Sequence, residues 1–467
     1  RRLFAEGAFS QSFVPVFAEA QARQSHAELQ RLVDVVSGTL GGVLCLVTAG
    51  GVLGAPLLLG LFAPGFGSDP AKYLLGVHLL RITFPYLMLI SLTALASGVL
   101  NSHGRFAIPA VTSSLLNLCM IAAVLIDARS VEVLAWAVLA GGFVQLGFQL
   151  PSLARLKLLP RPRWGWHDPQ VRRILRLMLP ILLGSSVAQI SLLLDTVIAS
   201  LLGTGPVSWL YYADRVMEFP LGLFSIALGT VILPHLASHH ARRSEQAFSD
   251  TLDWGLRAVL VIGAPAAVGL LLLAGPLIST LFQHARFTTA DVAMTRWALM
   301  AFALGFMGFS LVKILVPGFY ARQETRAPVR YALVALAAGM AMSVVLVGVL
   351  WWFGWSAAYA GLAASTSINA WVNATLLLRR LKRDGIYRPR PGWMSFGARL
   401  VLANLAMAAL LLWLGGDLAS WTRTPTLLRV ERLFEVIAAA VALYFAVLWL
   451  AGLRIGHLRH APTERTL

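Results

Sequence analysis

The chain reads as an all-α polytopic membrane protein: two pseudo-symmetric six-helix lobes, the first shortened at its N-terminus, followed by two extra C-terminal transmembrane helices. Three observations predict this. Of 467 residues, 58% are hydrophobic and only 13% charged, with a mean hydropathy of +0.74, against roughly 25% charged residues in an average soluble domain. Twelve apolar windows are long enough to cross a bilayer, and two halves of the chain match at an offset near 220.

A helix needs about 20 mostly apolar residues to span the hydrocarbon core. Windows of that kind run 38–63, 81–101, 107–126, 132–152, 177–203, 216–238, 256–282, 297–320, 329–353, 355–378, 397–415 and 429–453. The connections between them alternate in charge. Stretches 155–176 and 379–399 carry seven basic residues each, whereas the alternate connections hold only Lys72, Arg81, Arg129, Arg286, Arg296 and Arg423. By the positive-inside rule the basic set is cytoplasmic, as is the C-terminus. The net charge of +17 is thus a topology signal with contact to membrane lipids, and no nucleic-acid partner follows from it. Cys45 and Cys119 sit singly inside apolar spans, so neither a disulfide framework nor a metal site is expected.

The repeat appears in order along the chain. FSQSFVPVFAEA around Pro15 matches IALGTVILPHLASH around Pro234, and Asp34 falls opposite Asp253. APLLLGLFAPGF (55–66) matches GPLISTLFQHARF (275–287), and LNSHGRFAIPA (100–110) matches YARQETRAPVR (320–330). Two copies in one orientation imply parallel repeats about an axis along the membrane normal, the architecture of alternating-access transporters. The expected division is 1–160 for the N-terminal lobe, 161–390 for the C-terminal lobe, and 391–467 for the extra helix pair and tail. The second copy starts near Met178, some forty residues before its first matched feature, so the first copy is expected to lack one helix and part of the next.

Charged residues inside or at the mouth of spans are costly and point to function. In SWLYYADRVMEFP (208–220), Asp214, Arg215 and Glu218 lie three and four apart, on one helical face. They suit a polar ligand or a structural ion pair at a helix mouth. Arg1 and Arg2 open the repeat mate of that helix, so both lobes can offer guanidinium groups to an anion such as a diphosphate or a carboxylate. The same arginines could snorkel at a helix end. Glu218 and Glu6 are acidic complements able to pair with arginine or take up a proton. Asp195, in SLLLDTVIAS, is a candidate for coupling or for a hydrogen-bonded structural role, and Lys313, in FSLVKILVPG, for the cavity lining or for snorkelling. Asn117, Gln145, Gln189, Asn369 and Asn373 read as interhelical hydrogen-bonding groups, and His239 and His240 as a solvated terminus. No Walker loop, HExxH or GxSxG motif is present. The chain reads as a transporter, not an enzyme, with no cofactor and with membrane potential, an ion gradient or the cargo's own gradient as its energy source.

RRLFAEGAFSQSFVPVFAE, SWLYYADRVMEFPLGLFSIALGTVILP and KILVPGFYARQETRAPVR together resemble the MurJ (MviN) lipid II flippase family, within the multidrug/oligosaccharidyl-lipid/polysaccharide exporter superfamily. The resemblance implies fourteen helices and export of the undecaprenyl-diphosphate-linked peptidoglycan precursor, lipid II, from the cytoplasmic to the periplasmic leaflet of the bacterial inner membrane. By matching motifs it implies substrate contacts at Arg1, Arg215, Asp214, Glu218 and Ser208, and a gate position at Glu6. Asp195 aligns with a polar position that some members use near a sodium site, but the other ligands of such a site are not evident in 339–348. Peptidoglycan synthesis enzymes are implied partners. A flippase for another polyprenyl-diphosphate-linked oligosaccharide, or a multidrug exporter of the same fold, are the alternatives.

Overall fold

The computed structural model describes residues 9–453, apart from the side chains at 10, 11, 180–188, 226, 227 and 230. Among the described residues, regular structure is entirely helical. Two compact units are present, one ending at Val197 and the other beginning at Ile198.

The first unit contains α1 (Phe9–Arg23), α2 (His26–Leu53), α3 (Ala55–Phe62), α4 (Pro70–Thr83), α5 (Tyr86–Ser102), α6 (Ala107–Ile126), α7 (Val131–Arg155) and most of α8 (Pro169–Leu201). Helix α2 starts at a capping box in which Ser25 and Glu28 satisfy each other's backbone N–H groups. Asp69 caps α4 by accepting from the N–H groups of Ala71 and Lys72, with Pro70 in the first position. Phe9, Phe13 and Phe17 stack along α1 at 5.4 Å spacings and fill the core with Leu95, Val99 and Leu100. Polar groups join the apolar helices. Gln145 donates to the Thr112 carbonyl at 3.0 Å, and Gln149, fully buried, donates to Ser97 Oγ and Thr112 Oγ1. Gln145 therefore has the interhelical role expected of it.

The second unit holds α9 (Pro206–Pro220), a π-helical stretch (Leu221–Ile226), α10 (Ala227–Ala241), α11 (Glu245–Leu272), α12 (Ala274–Phe282), α13 (Thr289–Tyr320), α14 (Arg326–Trp352), α15 (Ala360–Arg383), α16 (Trp393–Gly415), α17 (Leu418–Arg423) and α18 (Thr426–Leu450). Helices α13 and α15 approach closely because Gly305 and Gly308 have no side chains. A Cβ on Gly305 would sit 2.5 Å from Ser367 Cα, and one on Gly308 2.9 Å from the Ala370 backbone. Small residues let apolar helices gain contact area where no hydrophobic drive operates between them in lipid. The extra pair α16 and α18 covers α11, with Tyr444 donating to the Val261 carbonyl at 2.7 Å.

Among the described residues, nine helical segments have the length and hydropathy to cross a membrane, counting α4 and α5 as one kinked stretch, Pro70–Ser102. Helix α15, where a span at 355–378 was expected, is not among them. It spends Ser365, Ser367 and Asn369 on contacts with α13 and α14, and Arg379, Arg380, Lys382 and Arg383 on its end, which lowers its hydropathy. Two expected windows break at repeat-equivalent positions. Window 38–63 divides at Gly54 between α2 and α3, and window 256–282 at Leu273 between α11 and α12. The repeat is thus plain in the helices: α2 and α11 both run 28 residues, followed by short helices of 8 and 9.

Asp34 and Asp253, equivalent in the repeat, do the same job in each unit. Asp34 Oδ1 accepts the Arg161 backbone N–H at 2.8 Å, and Asp253 Oδ1 accepts that of Arg390 at 3.3 Å. Each holds a connector of the form Pro-Arg-Pro-x-Trp, residues 160–164 and 389–393. Asp253 adds donors from Tyr387 at 2.8 Å and Trp393 at 2.7 Å and an ion pair with Arg257 at 2.8 Å.

Candidate functional site

Helix α9 begins where Gly205 turns the chain at φ +118, a conformation that favours glycine. The ring of Trp209 lies so close that a Cβ on Gly205 would meet it at 2.3 Å. That ring anchors the helix: its Nε1 donates to Asp291 Oδ1 at 2.8 Å, and it lies 5.0 Å from Tyr359. One turn on, Tyr212 packs on Phe282 and Phe287. Ala213, Val216 and Met217 complete the buried face.

With that face committed to the core, the 3.6-residue period turns Ser208, Tyr211, Arg215 and Glu218 the other way, with Asp214 at the edge of the stripe. Arg215 Nη1 donates to Glu218 Oε2 at 2.9 Å, and its guanidinium lies 5.0 Å from the Tyr211 ring centre. Their side chains are 49% and 31% exposed. A pair so exposed, three residues apart, contributes only about 0.2–1 kcal/mol. Stability does not account for it, and the guanidinium can exchange Glu218 for an anionic ligand at small cost.

The helix ends at Pro220, whose missing N–H interrupts the hydrogen-bond ladder, and the next six residues are wound as a π-helix. Such widened turns are common at functional sites. Ser225 on this stretch donates to Ser310 of α13 at 2.8 Å.

Of the residues singled out from sequence, α9 brings together Asp214, Arg215 and Glu218, with Ser208 on the same stripe. Lys313 lies exposed on α13, its backbone oxygen 2.8 Å from where a Cβ on Gly229 would be. Asp195 is half-buried on α8 in the first unit. Arg1, Arg2 and Glu6 lie outside the described residues. Among those described, no cluster of three or more His, Cys, Asp or Glu could hold a metal ion. Sequence reading missed Arg429, which is 4% exposed and donates to the Ser279 carbonyl at 2.8 Å and to Gln283 Oε1, tying α18 to α12. A charge at the first residue of the apolar window 429–453 was its signal in the sequence.

The family profile described as "Lipid II flippase MurJ" matches residues 1–429. A probable lipid II flippase MurJ of Vibrio cholerae serotype O1 is 42% identical over 99% of this chain and 89% of its own length. The lipid II flippase MurJ of Burkholderia cenocepacia is 40% identical over 98% and 89%. A solved structure of lipid II flippase MurJ in an inward closed conformation superposes with a TM-score of 0.78 at 22% identity, over 97% of this chain and 90% of the other. An inward-facing multidrug MATE-family transporter superposes at 0.65 and 15% identity, over 81% and 87%, and shares the fold.

Proposed function

The chain belongs to the lipid II flippase MurJ family, and from that premise we propose that Arg215 engages the diphosphate of its cargo. The function is export of the lipid-linked peptidoglycan precursor, lipid II, by alternating access. The chain is a multi-pass transporter and not an enzyme. The observation that supports the site is the stripe Ser208, Tyr211, Arg215, Glu218 on α9, a cation held by an exchangeable carboxylate on the face opposite the helix's packed side. A planar guanidinium suits the paired oxygens of a phosphate better than an ammonium does. Asp214 flanks the cation, and Glu218 holds it between cargo molecules. Arg1 joins the substrate contacts by its motif, Glu6 belongs to a gate, and Asp195 and Lys313 are gate or coupling positions.

The membrane is the bacterial inner membrane, with the basic connections and the C-terminus cytoplasmic. Membrane potential or an ion gradient drives the cycle, and the enzymes that make or consume the precursor are its protein partners.

The test is complementation in cells depleted of their own flippase and expressing the full-length protein, with lipid II measured in each leaflet. Wild type restores export. Arg215→Ala, losing charge-assisted bonds worth about 1.5–3 kcal/mol each, lowers it roughly tenfold to a hundredfold, and Arg215→Lys retains part. Wild-type flipping unaffected by Arg215→Ala would remove the site. No flipping by correctly inserted wild type would remove the cargo.

A further inference from the structure

The second unit contains a polar cavity of about 340 Å³ to which α9 contributes no residue. It lies where α10 ends and α11 begins, beside the ends of α13 and α15, on the side of the basic connections. We propose that this cavity binds a phosphate-bearing anion, supplied either by the headgroup of an anionic phospholipid or as free phosphate.

Three guanidinium side chains, Arg243, Arg322 and Arg388, line it with the imidazoles of His239 and His240. Its two carboxylates do not cancel them. Asp384 is already held by Arg380 at 2.8 Å, and Glu245 sits in the first turn of α11, where the helix dipole favours an acid. Two nitrogen atoms of these lining residues, Arg322 Nη1 and His239 Nδ1, lie buried behind the cavity surface and make no hydrogen bond. The Glu324 carboxylate stands 3.8 Å from Arg322, beyond hydrogen-bond reach. The first turn of α11 adds N–H groups that Ser244 does not cap with its side chain.

The repeat shows that the turn between α10 and α11 does not require His239, His240 or Arg243. Ser25 and Ser244 are equivalent helix caps at an offset of 219, the same as Asp34 and Asp253. At that offset His239, His240 and Arg243 correspond to Ala20, Gln21 and Gln24, so the first copy makes the same turn with neutral residues at these three positions. Arg243 also occupies a left-handed conformation at φ 55, where glycine would be less strained. The cavity lies at the ends of apolar helices α11 and α13, where a span of this length leaves the hydrocarbon core for the headgroup region.

The experiment is a thermal-unfolding titration of the purified full-length protein in detergent. The probes are short-chain phosphatidylglycerol, phosphatidylcholine of the same chain length, and inorganic phosphate. Wild type is expected to be stabilised by phosphatidylglycerol beyond phosphatidylcholine if the source is a headgroup, and by phosphate if it is soluble. Either result supports the site and identifies the source. Arg243→Gly combined with Arg388→Gln should weaken that response at least about tenfold. The glycine relieves backbone strain, so this variant is expected to fold. His239→Ala with His240→Gln, which installs the first copy's residues, should give a smaller loss. The proposal is overturned if phosphatidylglycerol and phosphate act on wild type no more than phosphatidylcholine does, or if the double arginine variant responds as wild type does.

Discussion

Replacing Asp253 by alanine should be among the most damaging single changes in the second unit. Its carboxylate is 1% exposed and accepts from the Tyr387 hydroxyl, the Trp393 indole and the Arg390 backbone, while pairing with Arg257. Burial, and then the hydrogen bond to Asp253, push the Tyr387 phenol well above its ordinary range, so it stays a donor. Without the carboxylate, the Tyr387 and Trp393 donors lose their acceptor, at about 1–3 kcal/mol each. Arg257 keeps contacts to the Arg390 and Pro391 carbonyls and is 23% exposed, so its share is smaller. The two donors together lose about 2–6 kcal/mol, a range that brackets the roughly 3–5 kcal/mol usual for breaking a buried charged pair. Asp253→Asn retains an acceptor oxygen and forfeits the ion pair, for about 1–2 kcal/mol. Reversible unfolding in mixed micelles, followed by tryptophan fluorescence, measures both. A loss below about 1 kcal/mol for Asp253→Ala would refute the reasoning, because it would mean the donors find other partners.

Asp34→Ala should cost less, about 1–3 kcal/mol, since its carboxylate accepts only from Gln30 and the Arg161 backbone and pairs with no cation among the described residues; the same unfolding assay compares the two. Ser25→Ala should lose about 1 kcal/mol from the capping box of α2, whereas Ser244→Ala, at a cap with no side-chain bond, should lose only a few tenths in the absence of added phosphate. Gly305→Ala should lower stability by about 1–3 kcal/mol, because a Cβ 2.5 Å from Ser367 Cα forces α13 and α15 apart. Gln149→Leu should cost only about 0.6–1.7 kcal/mol despite full burial, as interhelical polar bonds in membranes do.

The fold class was legible in the residues because a membrane imposes one-dimensional rules. Apolar runs must be long enough to span, basic connections mark one side, and a duplicated order survives in the helix lengths of α2 with α3 and α11 with α12. The stripe on α9 was equally readable, since the spacing of Asp214, Arg215 and Glu218 is a helical spacing wherever the helix sits. Helix α15 departed from its expected window because the polar residues that serve its contacts with α13 and α14, and the basic residues at its end, lower its hydropathy. The Pro-Arg-Pro-x-Trp connectors were not picked out from sequence, and only the fold shows that Asp34 and Asp253 hold them, across more than 120 residues of chain. The same holds for the cavity beside α11. Its cations come from separate chain segments that sequence reading treats as independent solvated ends, and their convergence is a property of helix packing. Local chemistry is written residue by residue; which distant groups share a space is decided by where the packed helices end.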